Sequence, residues 1–448
     1  MNNDKEIPIN KSQGLRRAIG LPQATAMVVG TIIGASIFVQ PAEITGRMLS
    51  VKGVFLVWLV SGLLTFFGAL VCAELASIFA ASGGVYVYLK KAYSPSIGFL
   101  WGWAMFWSAH SGIIAAISVI FSRYVSYFLP MSAAMIKIVS IAAILILSAV
   151  NYRGVRQGSS LQTLMTLGKV VAVVFIIFAG FFLGARLPEH FVTADLGSRN
   201  ISLNSFFLAV AAGLFAFGGW HMVTYSSDET INPRKTIPRA LMIGTIIVTV
   251  CYVALNAVYM YVLPLKSVAS STRIAADAAD ALLGFGGGAL MSGLVIFSTF
   301  GALSGIILCG PRVYFSMARD GLLFRWVGDI HPRFRTPHKA IIIQGVWSSV
   351  LVATGTYKTL FARVVFTEWI FFGLMAIGLF LFRRRPGIVR GYQIWGYPLV
   401  PALFIVSSFA IVVNQMISDP REGGFGLFLV LLGLPIYYLW SKRIRGGV

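Results

Sequence analysis

The nine residues GTIIGASIF (30–38) lie inside the first long apolar stretch of the chain, which covers residues 21–44. This stretch is apolar enough to cross a bilayer, yet it contains Gly30, Gly34 and Ser36, which weaken a helix or offer polar groups. Glycine in a helix interior costs about 1 kcal/mol relative to alanine, and lipid has no water to satisfy the backbone groups that a break exposes. A break in this stretch is therefore expected to line a cavity inside the protein.

The composition indicates an all-α integral membrane protein. Hydrophobic residues make up 57% of the chain and charged residues only 11%, whereas soluble domains carry roughly 25% charged residues. Apolar runs of membrane-spanning length recur along the whole chain. They predict twelve transmembrane helices, spans 1 to 12, at 19–46, 53–81, 95–126, 134–150, 160–185, 204–227, 237–263, 287–317, 340–357, 361–382, 396–417 and 423–441.

The net charge of +21 is distributed as in a membrane protein, which argues against a nucleic-acid partner. Of the 36 Lys and Arg residues, 24 fall in the N-terminal arm, the C-terminus and every second connection, and the alternate connections hold 9. Such an excess marks the cytoplasmic side. We therefore expect a multi-pass protein of the plasma membrane with both termini in the cytoplasm.

A second interrupted span lies five spans after the first. In AGLFAFGGWHMVTYSSDETINP (212–233) the apolar run reaches Phe217 and is broken by Gly218 and Gly219. Because five is odd, two five-helix halves would enter the membrane in opposite directions, each beginning with a broken helix. Paired breaks of this kind point to a transporter binding site at the midplane of an inverted repeat. Small-residue packing faces between helices are the alternative.

Four motifs resemble the amino acid–polyamine–organocation superfamily, and within it a prokaryotic member of the L-type amino-acid transporter branch. They are VGTIIGASIFVQP (29–41), CAELASIFAASGGVYVYLKKAYSPSIGFLWGW (72–103), FAFGGWHMVTYSSDETINPRKTIPRA (215–240) and GLPIYYLW (433–440). The resemblance implies a leucine-transporter-type fold with broken helices 1 and 6. Its parts would be a cytoplasmic arm (1–18), a first inverted repeat (19–185), a second repeat (186–382) and a C-terminal pair of spans with the C-terminus (383–448).

The resemblance also implies a substrate site at the two breaks. The N-terminal end of the second half of span 1 would bind a substrate carboxylate through unpaired N–H groups and the positive end of the helix dipole. The matching residues there are Gly34, Ala35 and Ser36. Freed backbone carbonyls of Ile32, Phe215 and Gly218 would accept from the substrate's ammonium group. Many relatives have glycine at Ser36, so its side chain is expected to narrow the pocket.

Lys169 is a charge inside span 5, about 9 residues or roughly 13 Å from its cytoplasmic start. An intramembrane charge costs several kcal/mol and is functional by default, although snorkelling to the interface is the alternative. In sodium-independent members of the family, a lysine at the matching position stands where sodium-coupled relatives bind a sodium ion. This match argues against sodium coupling.

Two glutamates also lie within predicted spans. Glu368 in span 10 could receive a cationic side chain, relay a proton, or form a structural ion pair. Glu74 in span 2 is expected to be structural. Asp228 and Glu229, beside Arg234 and Lys235, could form an inner-gate cluster or an ordinary solvated helix end.

Specificity is expected to depend on large side chains around the second break. Phe215 and Phe217 are candidate gate aromatics. Trp220, His221 and Met222 follow the break, and Glu368 and Trp369 could close the far side. This environment favours a neutral substrate. His110 in span 3 either approaches the pocket or hydrogen-bonds a neighbouring helix. The five histidines show no ligand spacing, so we expect neither a metal nor a cofactor.

The leading functional hypothesis is a sodium-independent exchanger of neutral L-amino acids that works by alternating access. A proton-coupled importer of the same fold is the alternative, with a carrier of cationic amino acids or polyamines and a non-transporting amino-acid sensor as further ones. An enzyme is not expected, since no nucleophile–base or metal constellation is present. Heteromeric relatives pair with a heavy chain through a cysteine between spans 3 and 4. Residues 124–135 contain no cysteine, so we expect no disulfide-linked heavy chain.

Overall fold

The computed structural model describes residues 19–81, 83–153, 168–171, 173–182, 202–284, 286–334 and 336–445. Within these residues the fold is all-helical, and a single parallel bridge, between Ile19 and Thr230, is the sole strand-like pairing. The N-terminal arm, the ends of predicted span 5 and the start of the predicted second repeat lie outside the described residues. The helices are α1 Leu21–Ile32, α2 Gln40–Met48, α3 Val51–Ile78, α4 Val85–Ala92, α5 Pro95–Val125, α6 Ala133–Arg153, α7 Gly168–Phe182, α8 Leu203–Ala216, α9 Pro233–Val262, α10 Leu265–Ser270, α11 Ile274–Leu283, α12 Gly287–Arg319, α13 His338–Thr354, α14 Tyr357–Arg383, α15 Leu399–Ser418 and α16 Pro420–Arg445.

Nine helical segments in the described residues are long and apolar enough to cross a membrane. The remaining predicted spans appear as shorter helices. Span 1 is divided between α1 and α2, span 5 appears as α7, and span 9 is the 17-residue α13. The prediction of a multi-helix membrane fold is therefore confirmed in outline.

Polar caps fix several helix starts. Ser50 accepts a hydrogen bond from the Gly53 N–H at the start of α3, and Ser94 accepts one from Ile97 at the start of α5. At the start of α14, Thr356 forms a capping box with Thr359. Each cap satisfies an N–H that has no partner within the helix.

The spans differ widely in how much of each is buried, and the two extremes are an interior group and the two C-terminal spans. In the most apolar window of each span, 72–83% of residues are buried in α5, α12, α14 and the segment Leu203–Ser227. In α15 and α16 the share is 22%, and large apolar side chains such as Val406 and Phe428 are exposed. Exposed apolar faces of this size suit a lipid environment. The interior group, with α1, surrounds the candidate site.

Candidate functional site

The first predicted break is present in the structure. Helix α1 ends at Ile32, a 3-10 turn covers Ser36–Phe38, and α2 resumes at Gln40. The Gly34 N–H donates to the Ile32 carbonyl at 2.6 Å, which turns the chain out of the helix. The N–H groups of Ala35 and Ser36 donate to no described backbone carbonyl. These two donors at the start of a new helical segment are free to bind an anionic group.

The second break directly follows α8. The Gly218 N–H donates to the Phe215 carbonyl at 3.1 Å, and Gly219 adopts the left-handed conformation with φ +95°. A 3-10 segment, Trp220–Glu229, follows. A Cβ atom at Gly219 would lie 2.9 Å from the Thr31 carbonyl oxygen, so the two breaks are in contact and only glycine fits there.

A small cavity lies where the breaks meet. Its volume is about 20 Å³, enough for roughly one water molecule. A bound amino acid therefore requires the site to widen. Seven predicted site residues line the cavity: Ile32, Gly34, Ser36, Phe215, Gly218, Met222 and Glu368. Seven further lining residues were not predicted: Thr31, Ile113, Ile117, Ala216, Gly219, Ile306 and Val364.

Six other predicted residues do not line this cavity: Ala35, Lys169, Phe217, Trp220, His221 and Trp369. The Phe217 ring packs on Tyr252 with ring centres 4.9 Å apart, and the Trp220 and His221 rings pack on Phe372 at 5.0 and 5.1 Å. Trp369 packs on Phe404 at 5.4 Å. Ala35 is buried, and its predicted contribution is its backbone N–H.

The register of the 3-10 segment explains which side chain after the second break reaches the cavity. A 3-10 helix has three residues per turn, so residues three apart share a face. Gly219 and Met222 are three apart and both line the cavity. Trp220 and His221 lie between them in sequence and are directed into the aromatic core.

Tyr252 on α9 connects the two breaks, and sequence analysis missed it. Its buried hydroxyl lies 2.8 Å from the Ile32 carbonyl oxygen and 3.1 Å from the Ala216 carbonyl oxygen. The Ile32 carbonyl thus accepts from both Tyr252 and Gly34. Since a carbonyl oxygen has two lone pairs, a substrate ammonium would have to share or displace one of these bonds. A tyrosine in the middle of span 7 was the available signal.

Lys169 on α7 reaches the first half of the broken span. Its side chain is 1% exposed, and Nζ donates to the Gly30 carbonyl at 2.5 Å. Next to it, Gly168 packs against Phe297 of α12, where an added Cβ atom would lie 2.7 Å from the ring. Lys169 therefore lies where α1 and α7 meet, with α12 beside it.

The two intramembrane glutamates have different surroundings. Glu74 is fully buried, accepts from Arg383 at 2.6 and 2.8 Å, and also accepts from the Ile394 N–H at 2.8 Å. Glu368 is 4% exposed at the cavity, and its Oε1 is buried without a hydrogen-bond partner among the described residues. The expectation that Glu74 is structural agrees with this geometry.

Aromatic side chains pack against Phe215, which lines the cavity. The Phe215 ring contacts Phe361 and Tyr357, with ring centres 5.6 and 6.4 Å apart. Gln40 donates to the Tyr357 hydroxyl at 3.2 Å, and the Arg123 guanidinium lies 5.2 Å from the Tyr357 ring centre. Phe215 thus connects the cavity to an aromatic group at the start of α14.

Polar contacts close the other end of the bundle. Glu229 pairs with Arg312 at 3.5 Å, and the side chain of Asp228 lies outside the described part of the chain. Asp320 accepts from Lys90 at 2.7 Å and from the Tyr86 hydroxyl at 2.5 Å. Burial and the neighbouring Asp320 raise the pKa of Tyr86, so its hydroxyl keeps the proton that it donates. The acidic end of the 3-10 segment is thus tied to α12.

His110 is buried in α5, and neither ring nitrogen has a hydrogen-bond partner among the described residues. The same holds for His221. In the described part of the chain, no group of three His, Cys, Asp or Glu side chains could hold a metal ion.

Comparison with known proteins identifies the family. Residues 19–436 match the model of the amino acid permease family. The chain belongs to this family. It is 33% identical to the serine/threonine exchanger SteT of Bacillus subtilis (strain 168), across 97% of this chain and 99% of that protein. It is 31% identical to the human b(0,+)-type amino acid transporter 1, across 97% of this chain and 91% of the relative.

The mouse Asc-type amino acid transporter 1 is 32% identical, across 96% of this chain and 82% of that protein. The predicted membership of the L-type branch of the amino acid–polyamine–organocation superfamily is confirmed. This permease is thus a multi-pass membrane transporter of amino acids. The family and these relatives are transporters rather than enzymes.

Proposed function

We propose that this permease exchanges neutral L-amino acids across the plasma membrane, without sodium, by alternating access. The observation that carries the proposal is the contact between two helix breaks, at Gly34 and Gly219, around one cavity. The proposed architecture has twelve spans. Residues 19–185 and 186–382 form the inverted repeats, residues 383–448 carry spans 11 and 12, and both termini are cytoplasmic. Similarity to a serine/threonine exchanger supports exchange as the mode of transport.

The substrate's main-chain groups bind at the breaks. Its carboxylate accepts from the N–H groups of Ala35 and Ser36, with Gly34 allowing close approach. An added Cβ atom at Gly34 would make an ordinary contact with the Ile32 carbonyl oxygen at 3.7 Å. The ammonium donates to the carbonyls of Phe215, Gly218 and Ile32, with Tyr252 yielding part of its bond to Ile32. The substrate side chain then points toward the aliphatic wall formed by α5, α12 and α14.

Lys169 takes the role of a sodium ion. Its Nζ contacts the Gly30 carbonyl, four residues before the break, and ties α7 to α1. A tie that needs no dissolved ion supports sodium-independent exchange. Because no ion moves with the substrate in this scheme, only the amino-acid gradients determine the direction of net transport.

The aromatic group of Phe215, Tyr357 and Phe361 acts as the outer lid, and the Glu229–Arg312 pair belongs to the inner closure. Residues 124–135 offer no cysteine to a heavy chain. The permease therefore functions as a single polypeptide.

A proton-coupled importer is the second candidate. It is favoured by Glu368, whose Oε1 lacks a partner at the cavity and could take up and release a proton during transport. The two mechanisms differ in what drives accumulation: a counter-substrate in the first, and a pH gradient in the second.

Purified protein in proteoliposomes separates the candidates. Vesicles preloaded with an unlabelled neutral amino acid, in sodium-free buffer, should take up labelled substrate, whereas empty vesicles should not. Added sodium should change nothing. Concentrative uptake into empty vesicles driven by a pH gradient would replace the exchanger with the importer. Binding without any flux would indicate a sensor.

A matched pair of lysine variants tests the proposed role of Lys169. Lys169→Met preserves length and removes the charge, and should lower exchange about 10- to 100-fold, because a hydrogen bond from a charged group is worth about 1.5–3 kcal/mol. Lys137 also donates to a backbone carbonyl, that of Ala353 at 2.7 Å, but at an exposed position. Lys137→Met should exchange at the wild-type rate. Equal activity of both variants, with wild-type expression, would contradict the role assigned to Lys169.

A further inference from the structure

A second pocket lies at the surface of the bundle, where α3 ends and α9 begins. Its volume is about 540 Å³. The residues that line it are Ala80, Asn232, Pro233, Arg234 and Lys235. The segment before α15 passes beside it, since an added Cβ atom at Gly391 would lie 3.2 Å from the Arg234 Cβ atom. The pocket shares no lining residue with the cavity at the two breaks.

The basic side chains of this pocket have no acidic partner among the described residues. Arg234 and Lys235 are exposed, and so is Arg239, one turn further along α9. None of the three forms an ion pair with a described carboxylate. Glu74 and Glu229, which precede the pocket residues on the two chain segments, are already paired with other arginines. The pocket therefore presents a positive surface that an anion from outside the protein can neutralise.

An exposed aliphatic stripe continues from these cations along α9. Its side chains are 41–64% exposed, and they are Ile243, Ile246, Ile247 and Val250. Lys235, Arg239 and Ile243 follow one another at intervals of four residues, so the cations and the stripe share one face of the helix. The distance along the axis from Arg239 to Val250 is about 16 Å, roughly half of the 30 Å thickness of a bilayer core. This face thus combines positive charge at one end with apolar surface of the depth of one leaflet.

Aromatic side chains beside the pocket are typical of the membrane–water interface. Trp395 is 62% exposed and Tyr397 is 37% exposed, in the segment that passes Arg234 at Gly391. Trp and Tyr are enriched at the level of the lipid headgroups, where their rings have one apolar and one polar side. Their exposure here indicates that the positive end of the α9 face lies at headgroup level.

We propose that the pocket and the exposed face of α9 bind an anionic phospholipid. The lipid phosphate accepts hydrogen bonds from Arg234 and Lys235, and one acyl chain packs along the stripe from Ile243 to Val250. A soluble phosphate compound would leave the stripe uncovered, and a zwitterionic lipid would bring its own cation next to two cations. Basic pockets between transmembrane helices bind anionic headgroups through the same attraction.

Lipids with identical chains test the recognition of charge on the wild-type protein. Native mass spectrometry in detergent compares dioleoyl phosphatidylglycerol with dioleoyl phosphatidylcholine, and glycerol phosphate is the probe without acyl chains. Phosphatidylglycerol should bind at the lowest concentration, and glycerol phosphate should not bind in the same range. Equal binding of the two lipids would overturn the proposal. Binding of glycerol phosphate as tight as that of phosphatidylglycerol would assign the pocket to a soluble phosphate compound instead.

Two double variants locate the site. Arg234→Gln with Lys235→Gln should bind phosphatidylglycerol about 30-fold more weakly, because each cation near a charged headgroup contributes about fivefold. Lys52→Gln with Lys266→Gln is the matched control, since it removes two exposed cations, one at the far end of α3 and one just beyond the far end of α9. The control should bind as wild type, and both variants should keep the wild-type unfolding midpoint.

An unchanged affinity in the first variant, or an equal loss in both, would show that the lipid is attracted by overall charge and that this pocket is not its site. The wild-type comparison of the two lipids is decisive even if a variant folds poorly. None of these measurements requires transport. A failure of exchange in preloaded vesicles would therefore leave the lipid site standing, and a failure of lipid binding would leave exchange standing.

Discussion

Glu74 and Glu368 are both glutamates buried in the helix bundle, and they differ in what surrounds them. Glu74 accepts three hydrogen bonds, two from the Arg383 guanidinium and one from the Ile394 N–H. Glu368 borders the cavity with an unpartnered Oε1. A complete set of partners inside the protein indicates a structural role, and an incomplete set at a cavity indicates a group kept for a ligand.

Helix α14 carries Glu368 and also Arg383, the partner of Glu74. Arg383 and Glu368 lie on α14, fifteen residues or about 22 Å apart along its axis. At the Arg383 end, α14 is tied to Glu74 of α3, which also accepts from Ile394 in the segment before α15. At the Glu368 end, it faces the two breaks. The ion pair therefore anchors α14 to α3 at one end, while the other end is available to respond to substrate.

The largest expected effect on stability comes from removing Arg383, the ion-pair partner of Glu74. Arg383→Met leaves Glu74 with one N–H donor in a fully buried position. Removing one partner of a buried ion pair costs about 3–5 kcal/mol, so the variant should lose thermal stability in detergent and expression yield. The measurement is the unfolding midpoint of the purified protein.

The Arg363–Glu422 pair supplies the control. Both side chains are about one quarter exposed, at 23% and 25%, and exposed ion pairs contribute about 0–1 kcal/mol. Arg363→Met should therefore shift the midpoint far less than Arg383→Met. Similar shifts in both variants would show that burial does not distinguish the two pairs.

A smaller effect on stability, of opposite sign, is expected from removing the unpartnered carboxyl group of Glu368. Glu368→Leu replaces an unpartnered carboxyl by an apolar group of similar volume, and should raise the free energy of unfolding by about 1–3 kcal/mol. The same substitution at Glu74 leaves Arg383 without its partner and should lower it. The thermal midpoints of the two leucine variants, measured without substrate, give the sign directly. Destabilisation by both would mean that Glu368 has a structural partner after all.

The sequence predicted the elements of this fold that depend on composition and on glycine. Apolar runs located the spans, and the breaks at Gly34 and Gly218–Gly219 followed from glycine and polar residues in otherwise apolar segments. The cavity-lining side chains Ile113, Ile306 and Val364 were not predictable in this way. An aliphatic residue that faces a cavity has the same sequence signature as one that faces another helix.

The sequence did not show which side chain after the second break faces the cavity, for a geometric reason. Sequence could not distinguish a 3-10 segment from an α-helix there, so it could not select Met222 over Trp220 and His221 as the residue that faces the cavity. Tyr252 was missed because a tyrosine in a transmembrane helix usually packs without a special role. Its two carbonyl partners, Ile32 and Ala216, are 220 and 36 residues away in sequence.

Replacing Tyr252 should have the smallest effect on stability. It extends the comparison of Glu74 with Glu368 to a neutral buried group whose partners are present. Its hydroxyl contacts carbonyls from both breaks, so Tyr252→Phe should cost only about 0.6–1.7 kcal/mol, from the average to the maximum measured for side-chain hydrogen bonds between membrane helices. The freed Ile32 carbonyl then becomes a better acceptor for the substrate ammonium, so the apparent substrate affinity should stay the same or rise. The maximal exchange rate should fall, because the two breaks lose the hydroxyl that links them. The checks are the thermal midpoint and the separate KM and kcat of exchange in proteoliposomes. A rise in KM with unchanged kcat would instead mean that the Tyr252 hydroxyl contacts the substrate itself, which would make it a binding residue rather than a link between the two broken helices.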